Sequence, residues 1–281
     1  MQKISIYKSE KGKIKIHSFY ETLLANWIHP NQHKKVQTSY GETFILCSGP
    51  ANGQPVILLH GSGSNSAMWM SEAKILSENY RVYAIDIIGE CGKSSESRPD
   101  WKSNHYAKWL NELFEQLNIS SASLIACSLG GWIAIDYASR FPLKVDKLVL
   151  LATAGITPVK VSTLLLIIIT SFMGSWGFRK INKRVYGNLK IDETTAAFAN
   201  LIKQYYVPRT DVLPLFDDEK LQKLKAPVLF IGGENDCFYD SQKTANRLKD
   251  NLQSIETKVL KNTGHVLMNT INYIIEFLNR W

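Results

Sequence analysis

The chain changes its pattern of apolar and polar positions near residue 55. From there on, short and almost wholly apolar runs alternate with longer stretches whose apolar residues recur at helical spacing. The apolar runs read PVILLH, YRVYAIDI, ASLIAC, DKLVLLAT, APVLFIGG and ETKVLK. The helical stretches cover about 66–79, 103–118, 129–140, 241–251 and 267–280. Because strands buried on both faces are apolar throughout, this alternation predicts an α/β fold with a doubly wound, mostly parallel sheet.

The residues before this alternation predict a helical extension. The segment IHSFYETLLANWIH, over 16–29, has apolar residues at helical spacing, and Pro30 ends the pattern. The segment VQTSYGETFILCSG follows, with β-favouring residues on both sides of a turn at Tyr40 and Gly41. We therefore predict an N-terminal helical extension over residues 1–35, joined to the core by a pair of strands.

The stretch 156–217 interrupts the alternation of strands and helices. It is longer than one crossover helix needs, and its sequence contains no convincing core strand. We therefore predict a helical cap inserted after the sixth strand. The core is then formed by residues 36–155 and 218–281.

The cap opens with the uncharged run VSTLLLIIITSFMGSWGF, between Lys160 and Arg179. This run is only marginally long enough to span a membrane, and spanning would divide one sheet between two compartments. A buried or groove-lining cap helix is therefore favoured. Weak contact of the cap with a membrane surface is the alternative.

Composition and charge limit the kinds of partner that we expect for the protein. With 281 residues, 45% of them apolar, the chain can bury one large core. The net charge of +8 owes much to lysines near the start of the chain, where aromatic residues are not interleaved as in surfaces that stack bases. We expect a solvated basic surface and no nucleic-acid partner.

The cysteines indicate a reducing compartment. They are isolated from one another, at Cys47, Cys91, Cys127 and Cys237. The absence of a CxxC pair argues against a zinc site and fits free thiols. The first residues, MQKISIYKSEKGKIKI, alternate apolar and charged positions and lack the apolar run of a secretory signal. We expect a cytoplasmic protein.

The segment ACSLGGW, over 126–132, lies between an apolar run and a helical stretch. A sharp turn from strand to helix would place Ser128 at its apex, with the small residues Ala126 and Gly130 two positions away on either side. The usual pattern has glycine where Ala126 stands. Cys127 precedes the apex and is expected to point into the sheet. We predict Ser128 as a nucleophile.

The segment LLHGSGSNSAMW supplies backbone donors. His60 and Gly61 end a strand, and a loop rich in glycine and serine leads into a helix. We predict that the backbone N–H groups of Ser62 and Leu129 form an oxyanion hole, helped by the helix that begins at Leu129. His60 is expected to hold the loop in place rather than to titrate.

Two later loops supply an acid and a base. In VLFIGGENDCFYD an apolar strand runs into an acidic loop, where Asp236 is favoured over Glu234 and over Asp240, which suits the N-cap of the next helix. In KNTGHVLM, His265 follows the last strand directly after a glycine. The order Ser128, Asp236, His265, each after a strand, predicts a triad at the carboxyl edge of a parallel sheet.

Together these motifs resemble the α/β-hydrolase family, over residues from about 36 to 281. The segment DIIGECGKS is similar to the family's Asp-x-x-Gly loop, with Asp86 and Gly89, but its second glycine, Gly92, comes one residue late. This form is similar to carboxylesterase-like branches with an N-terminal helical extension. The family's usual insertion point, after the sixth strand, coincides with the predicted cap.

The resemblance implies acyl-transfer chemistry without a metal or an organic cofactor. His265 would take the proton of Ser128, and Asp236 would hold the imidazole. The dehalogenases and epoxide hydrolases of this family carry an aspartate at the turn, so a serine leaves esters, thioesters, amides and carbon–carbon bonds between carbonyls. An apolar cap favours an apolar acyl or aryl group. A carboxylesterase of small-molecule esters is the main prediction, with expected substrate contacts from Gly61, Trp132, Leu165, Ile168, Phe172 and Trp176.

Two other functions stay open at this point. A hydrolase of vinylogous diketones would use the same triad and would need a cationic contact for its anionic substrate, which Arg179, Arg184 or Arg209 in the cap could supply. A ligand receptor on the same fold would keep the triad but turn over slowly. Multiple turnovers of a short-chain ester would favour the enzyme over the receptor.

Overall fold

The computed structural model describes residues 5–27, 30–171, 174–187, 189 and 191–280, which form one eight-stranded sheet covered by helices. The strands are β1 (Asn31–Thr38), β2 (Gly41–Ser48), β3 (Gln54–Leu59), β4 (Tyr80–Ile85), β5 (Ala122–Cys127), β6 (Val145–Leu151), β7 (Val228–Gly233) and β8 (Ile255–Leu260). The helices are α1 (Glu10–Leu24), α2 (Met70–Leu76), α3 (His105–Gln116), α4 (Leu129–Arg140), α5 (Val161–Ser171), α6 (Gly174–Tyr186), α7 (Glu193–Tyr205), α8 (Asp218–Leu221), α9 (Ser241–Asn251) and α10 (Ile271–Arg280).

The strand order confirms the predicted doubly wound sheet. The strands lie in the order β1-β2-β4-β3-β5-β6-β7-β8, and every pair from β4 to β8 is parallel. Only β2 breaks the pattern in this sheet, running antiparallel to both β1 and β4. Helices α3, α4, α8 and α9 pack on one face, and α1, α2 and α10 pack on the other. Strands β3, β5, β6 and β7 are buried along most of their length, as their composition predicted, whereas the last strand of the sheet, β8, is only half-buried.

The N-terminal helix begins earlier than the prediction of 16–29. It covers Glu10–Leu24 because Ser9, in extended conformation, caps it by accepting from the N–H of Gly12. Gly12 also lies so close to Tyr205 that a β-carbon there would come within 2.6 Å of its ring. The predicted end of the extension at residue 35 falls inside β1, which starts at Asn31.

The predicted helix over 66–79 is divided. Asn65 accepts from the N–H of Ala67 and starts a short 3₁₀ turn over Ser66–Trp69, after which α2 begins. The last helix also starts later than predicted, at Ile271 instead of 267. In both places the helical spacing of apolar residues extends beyond the α-helix, through a 3₁₀ turn in the first case and through irregular backbone in the second.

The cap consists of α5, α6 and α7 between β6 and α8, so the predicted insertion after the sixth strand is confirmed. No strand of the sheet lies in the described part of 156–217. Across the described ranges, no helix is long and apolar enough to cross a membrane. The end of the cap is held by the N-terminal segment, since Tyr206 pairs with Tyr7 and the N–H of Val207 donates to the carbonyl of Ile6 at 2.8 Å.

Candidate active site

Ser128 lies at the turn between β5 and α4, in the conformation that the sequence predicted. Its backbone has φ 49° and ψ −108°, a left-handed conformation that is strained for any residue with a β-carbon. Its N–H donates to the carbonyl of Leu151 at 2.9 Å, and its own carbonyl accepts from Trp132 and Ala154 at 3.2 Å each. Bonds to the neighbouring strand and to α4 therefore hold the turn in this conformation.

The small residues around the turn are required by close packing. A β-carbon at Gly130 would lie 2.3 Å from the carbonyl oxygen of Leu59, so any larger residue would push α4 away from β3. Ala126 is fully buried in β5, in register with Leu59 on one side and Leu150 on the other. Alanine is tolerated at this position, where the usual pattern has glycine.

Asp236 follows β7 and is almost fully buried. One carboxylate oxygen, Oδ1, accepts from the N–H groups of Phe238 at 2.7 Å and Tyr239 at 3.2 Å. These bonds fix the carboxylate and leave Oδ2 directed at His265. The competing acids have other partners, because Glu234 accepts from the N–H of Asn262 and Asp240 caps α9.

His265 follows β8 and lies between the other two side chains. Its Nδ1 is 2.8 Å from Oδ2 of Asp236, and its Nε2 is 3.2 Å from Oγ of Ser128. A carboxylate only accepts hydrogen bonds, so Nδ1 carries the hydrogen and Nε2 is free to accept from the serine hydroxyl. The ring of Phe238 packs edge-on against the imidazole, with centroids 4.7 Å apart.

The three predicted triad residues are thus brought together at one edge of the sheet. The arrangement can move a proton from the hydroxyl of Ser128 to Nε2 of His265, while the buried carboxylate stabilises the resulting imidazolium. The loop after β8, which carries His265, lies very close to the end of β7 and to the loop that carries Asp236 (the acid loop). A β-carbon on Gly233 would lie 2.1 Å from the carbonyl oxygen of Gly264. Glycine at position 233 therefore allows His265 to reach its partners.

The predicted oxyanion donors lie on both sides of the serine. Leu129 is the first residue of α4, where N–H groups have no intrahelical acceptor. Gly61, next to Ser62, is so close to the nucleophile that a β-carbon there would lie 3.6 Å from Cβ of Ser128. Within the described residues, the N–H groups of Ser62 and Leu129 donate to no protein acceptor.

His60 has the structural role that the sequence predicted. It is fully buried, its Nε2 accepts from the N–H of Ile87 at 2.9 Å, and its Nδ1 donates to the carbonyl of Gly61 at 2.8 Å. Burial lowers the pKa of its imidazole, which favours the neutral ring. The loop over residues 61–66, which carries the predicted donor Ser62, is called the oxyanion loop below. His60 connects this loop to the end of β4.

Asp86, the acid of the Asp-x-x-Gly loop, is also a structural residue. Its Oδ1 accepts from the N–H of Ser66 and the hydroxyl of Tyr20, and its Oδ2 accepts from the N–H of Lys93. A β-carbon at Gly92 would lie 2.4 Å from its carboxyl group, so the late glycine makes room for this carboxylate. Asp86 joins the oxyanion loop to the N-terminal helix.

Two predicted substrate contacts lie in surroundings that do not suit a closed pocket. Trp132 is buried, stacks on Phe216 and donates from Nε1 to the carbonyl of Pro214, which gives it a packing role. Leu165 is 54% exposed on α5. Phe172 and the side chains of Ile168 and Trp176 lie outside the described residues.

The beginning of the cap is attached to the acid loop, a feature that the sequence motifs did not predict. Nζ of Lys160 donates to the carbonyl of Asp236 at 2.6 Å, and Oγ1 of Thr163 donates to the carbonyl of Cys237. The N–H of Lys160 also donates to the carbonyl of Phe238. The one feature of the sequence that could have indicated this attachment is Lys160, a charged residue directly before the uncharged helix α5.

Comparison with known proteins finds similarity to α/β hydrolases and, over nearly the whole chain, to carboxylesterases. A family model described as alpha/beta hydrolase fold matches residues 54–180. The chain is 28% identical to the carboxylesterase nap of Bacillus subtilis, over 99% of this chain and 95% of the relative. It is also 28% identical to carboxylesterase YbfK of the same organism, over 93% of this chain and 90% of that relative. The crystal structure of naproxen esterase from Bacillus subtilis matches with a TM-score of 0.86 at 26% identity, over 97% of this chain and 99% of the esterase.

The strand order and the similarity to solved structures show that the chain has the α/β-hydrolase fold. It is an enzyme of the hydrolase class, and the relatives that match it over nearly its whole length are carboxylesterases. Both assignments agree with the resemblance found in the sequence.

Proposed function

We propose that this protein hydrolyses carboxylic esters of small molecules through an acyl-enzyme formed on Ser128. The observation that carries the proposal is the continuous chain of hydrogen bonds from Ser128 through His265 to Asp236. The similarity to carboxylesterases over nearly the whole chain supports the same chemistry.

In the proposed reaction His265 accepts the proton of Ser128 as the oxygen attacks the ester carbonyl. The N–H groups of Ser62 and Leu129 donate to the developing oxyanion, and each such donor contributes about 2.7 to 4 kcal/mol in a serine hydrolase site. His265 then gives the proton to the departing alcohol. Water, activated by the same imidazole, releases the acid and restores the serine.

We propose apolar acyl or aryl substrates. The apolar residues that begin the cap support this preference, and Gly61 leaves space beside the nucleophile for the acyl group. Ile168, Phe172 and Trp176 remain proposed contacts on the cap, whereas Leu165 is largely exposed.

The test combines a covalent probe with a substrate panel. A labelled fluorophosphonate should modify Ser128, located by peptide mass spectrometry. A series of aryl esters from acetate to long acyl chains should show multiple turnovers, with kcat/KM rising from acetate to an intermediate chain length. Absence of both labelling and turnover would overturn the proposal.

The neighbouring cysteine provides a matched prediction. Burial, and secondly the charge of Asp236, raise the pKa of the Cys127 thiol to about 12, so almost no thiolate forms at neutral pH. We expect Cys127→Ala to keep kcat within about threefold of the wild type, because it removes no proton-transfer group. Iodoacetamide at pH 7.5 should leave esterase activity unchanged, and inactivation that Cys127→Ala prevents would contradict this prediction.

Hydrolysis of vinylogous diketones is the second candidate. The arginines of the cap were the expected contacts for its anionic substrate, but Arg209 is engaged by Asp211, by the carbonyl of Pro99 and by the hydroxyl of Tyr106. This engagement makes Arg209 unavailable to an anionic substrate, and the similarity to carboxylesterases favours the ester. Turnover of a synthetic vinylogous diketone acid at a higher kcat/KM than any ester of the panel would make carbon–carbon bond hydrolysis the preferred function. A single slow turnover of every ester would favour a ligand receptor on the same fold.

We also propose the cytoplasm as the location. All four cysteines are free in the structure, and Cys47, Cys91 and Cys237 are buried. Free thiols are typical of a reducing compartment.

Weak contact of the cap with an anionic membrane surface is proposed as well. Three apolar side chains are exposed on one side of α5: Val161 at 69%, Leu164 at 42% and Leu165 at 54%. Between Asp146 and Asp192 the sequence has several lysines and arginines but no acidic residue. An exposed apolar stripe beside basic residues suits an anionic lipid surface.

Vesicle flotation tests this contact. We expect a minor fraction of the protein to float with phosphatidylglycerol vesicles and none with phosphatidylcholine vesicles, and the binding to disappear in about 1 M salt, where charges are screened within about 3 Å. Leu164→Ser should reduce flotation, whereas Leu143→Ser, which alters an 89% exposed leucine before β6, should not. Equal binding to both lipids would contradict the contact.

A further inference from the structure

The segment DIIGECGKS contains a buried carboxylate that the triad does not use. Glu90 follows Gly89 in this loop and is only 2% exposed. Its Oε2 accepts from the N–H of Gly63 at 2.6 Å and from the hydroxyl of Tyr206 at 2.8 Å. The carboxylate therefore joins the oxyanion loop to the end of the cap.

Burial disfavours the charged form of Glu90, and its polar neighbours offset only part of that effect. Burial raises the pKa of the carboxyl group, while its hydrogen bonds from Gly63 and Tyr206 and the charge of Arg98 oppose that effect. The guanidinium of Arg98 also donates to the hydroxyl of Tyr206 at 3.0 Å and to the carbonyl of Val207 at 2.7 Å. Burying a carboxylate destabilises the protein unless hydrogen bonds compensate. Here those bonds run to the two segments that border the site.

Gly63 is the part of the oxyanion loop that most needs an anchor. Its φ of +65° is accessible to glycine without strain, and glycine is also the residue with the greatest freedom to leave it. The N–H that Glu90 holds belongs to the peptide between Ser62 and Gly63. The N–H of Ser62 lies in the preceding peptide, which is joined to this one at a single Cα atom, so holding one peptide restrains the orientation of the other. Without this bond the loop has one fewer contact to keep it open beside Ser128.

We propose that Glu90 is a positioning residue, which fixes the oxyanion loop by holding the N–H of Gly63 so that Ser62 faces the reacting carbonyl. The inference rests on the proposed ester hydrolysis. It assigns to Glu90 an effect on the transition state, beyond its effect on stability. Reach and acceptor geometry matter more here than charge.

Three substitutions test the proposal. Glu90→Ala removes the acceptor and is expected to lower kcat roughly 10- to 100-fold, a part of the loss seen when an oxyanion donor is removed outright, with KM within about threefold. Glu90→Asp keeps the charge but is one methylene too short, and should lose a similar factor. Glu90→Gln loses the charge but its amide oxygen can still accept from Gly63, and should stay within about fivefold of the wild type.

The control removes a buried acceptor far from the site. Ser48→Ala leaves the indole N–H of Trp27, which donates to the hydroxyl of Ser48 at 2.8 Å, without its partner. It should lower Tm as much as Glu90→Ala does while leaving kcat within about twofold, because lost stability alone does not misplace a donor. Affinity for an arylboronic acid, which forms a tetrahedral adduct on the serine, should fall in Glu90→Ala in parallel with kcat.

The outcomes separate this inference from the proposed function. If the wild type neither reacts with fluorophosphonate nor hydrolyses any ester, the proposed function fails. If the wild type turns over and Glu90→Asp keeps full kcat, or Glu90→Gln loses as much as Glu90→Ala, only the positioning role of Glu90 is overturned. The Asp and Gln variants decide the case even where Glu90→Ala fails to fold.

Discussion

We expect Ser128→Ala to abolish both ester turnover and fluorophosphonate labelling. Removing the nucleophile of a serine hydrolase typically lowers kcat by about 10⁶-fold, because no other group replaces the attacking oxygen. The hydroxyl of Ser128 is bonded to Nε2 of His265, and both residues are only partly buried, so water can replace the lost hydroxyl at Nε2. Steady-state kinetics and gel detection of the probe measure the two effects.

The fold of this variant should be unchanged. Alanine keeps the β-carbon, so the strained backbone at φ 49° is neither relieved nor worsened. Circular dichroism and Tm should therefore match the wild type. Probe labelling that persists in a folded Ser128→Ala protein would show that the nucleophile lies elsewhere.

The second large effect is expected from Asp236→Asn, at about 10⁴-fold in kcat if the precedent of serine proteases applies. The amide oxygen can still accept from Phe238 and Tyr239, which keeps the loop in place. The amide NH₂ then faces Nδ1 of His265 and donates to it. This forces the hydrogen of the imidazole onto Nε2, which can no longer accept the proton of Ser128.

Asp240→Asn is the matched control. Asp240 accepts from the N–H of Lys243 at the start of α9, and asparagine is an equally good N-cap. We expect kcat within about twofold of the wild type and a change in stability of a few tenths of a kcal/mol. A greater loss of kcat in Asp240→Asn than in Asp236→Asn would show that Asp236 is not the acid of the triad.

Much of the fold and of the site follows from local sequence. The strands of a sheet buried on both faces are uniformly apolar, and α4 and α9 match their predicted bounds of 129–140 and 241–251. The loops that carry Ser128, Asp236 and His265 could be located because each comes directly after such a strand. Their meeting at one edge is a consequence of parallel topology.

Other features depend on contacts that sequence patterns do not encode. Trp132 follows the serine closely and suits a pocket, but its indole packs against Phe216, which comes from the far end of the cap. No sequence motif singled out Glu90, and only the folded chain brings it to Gly63 and Tyr206. Long-range partners of this kind decide which side chains are buried.

The anchoring of the cap at both ends restricts how substrate can enter. Its first residues hold the carbonyls of Asp236 and Cys237, and its last residues pair with the N-terminal segment and with Arg98. A rigid swing of the entire cap would therefore drag the acid away from the imidazole or tear the N-terminal pairing. The two ends of the cap and the triad thus form one connected unit, so a movement that admits the proposed substrate has to leave both ends of the cap in place.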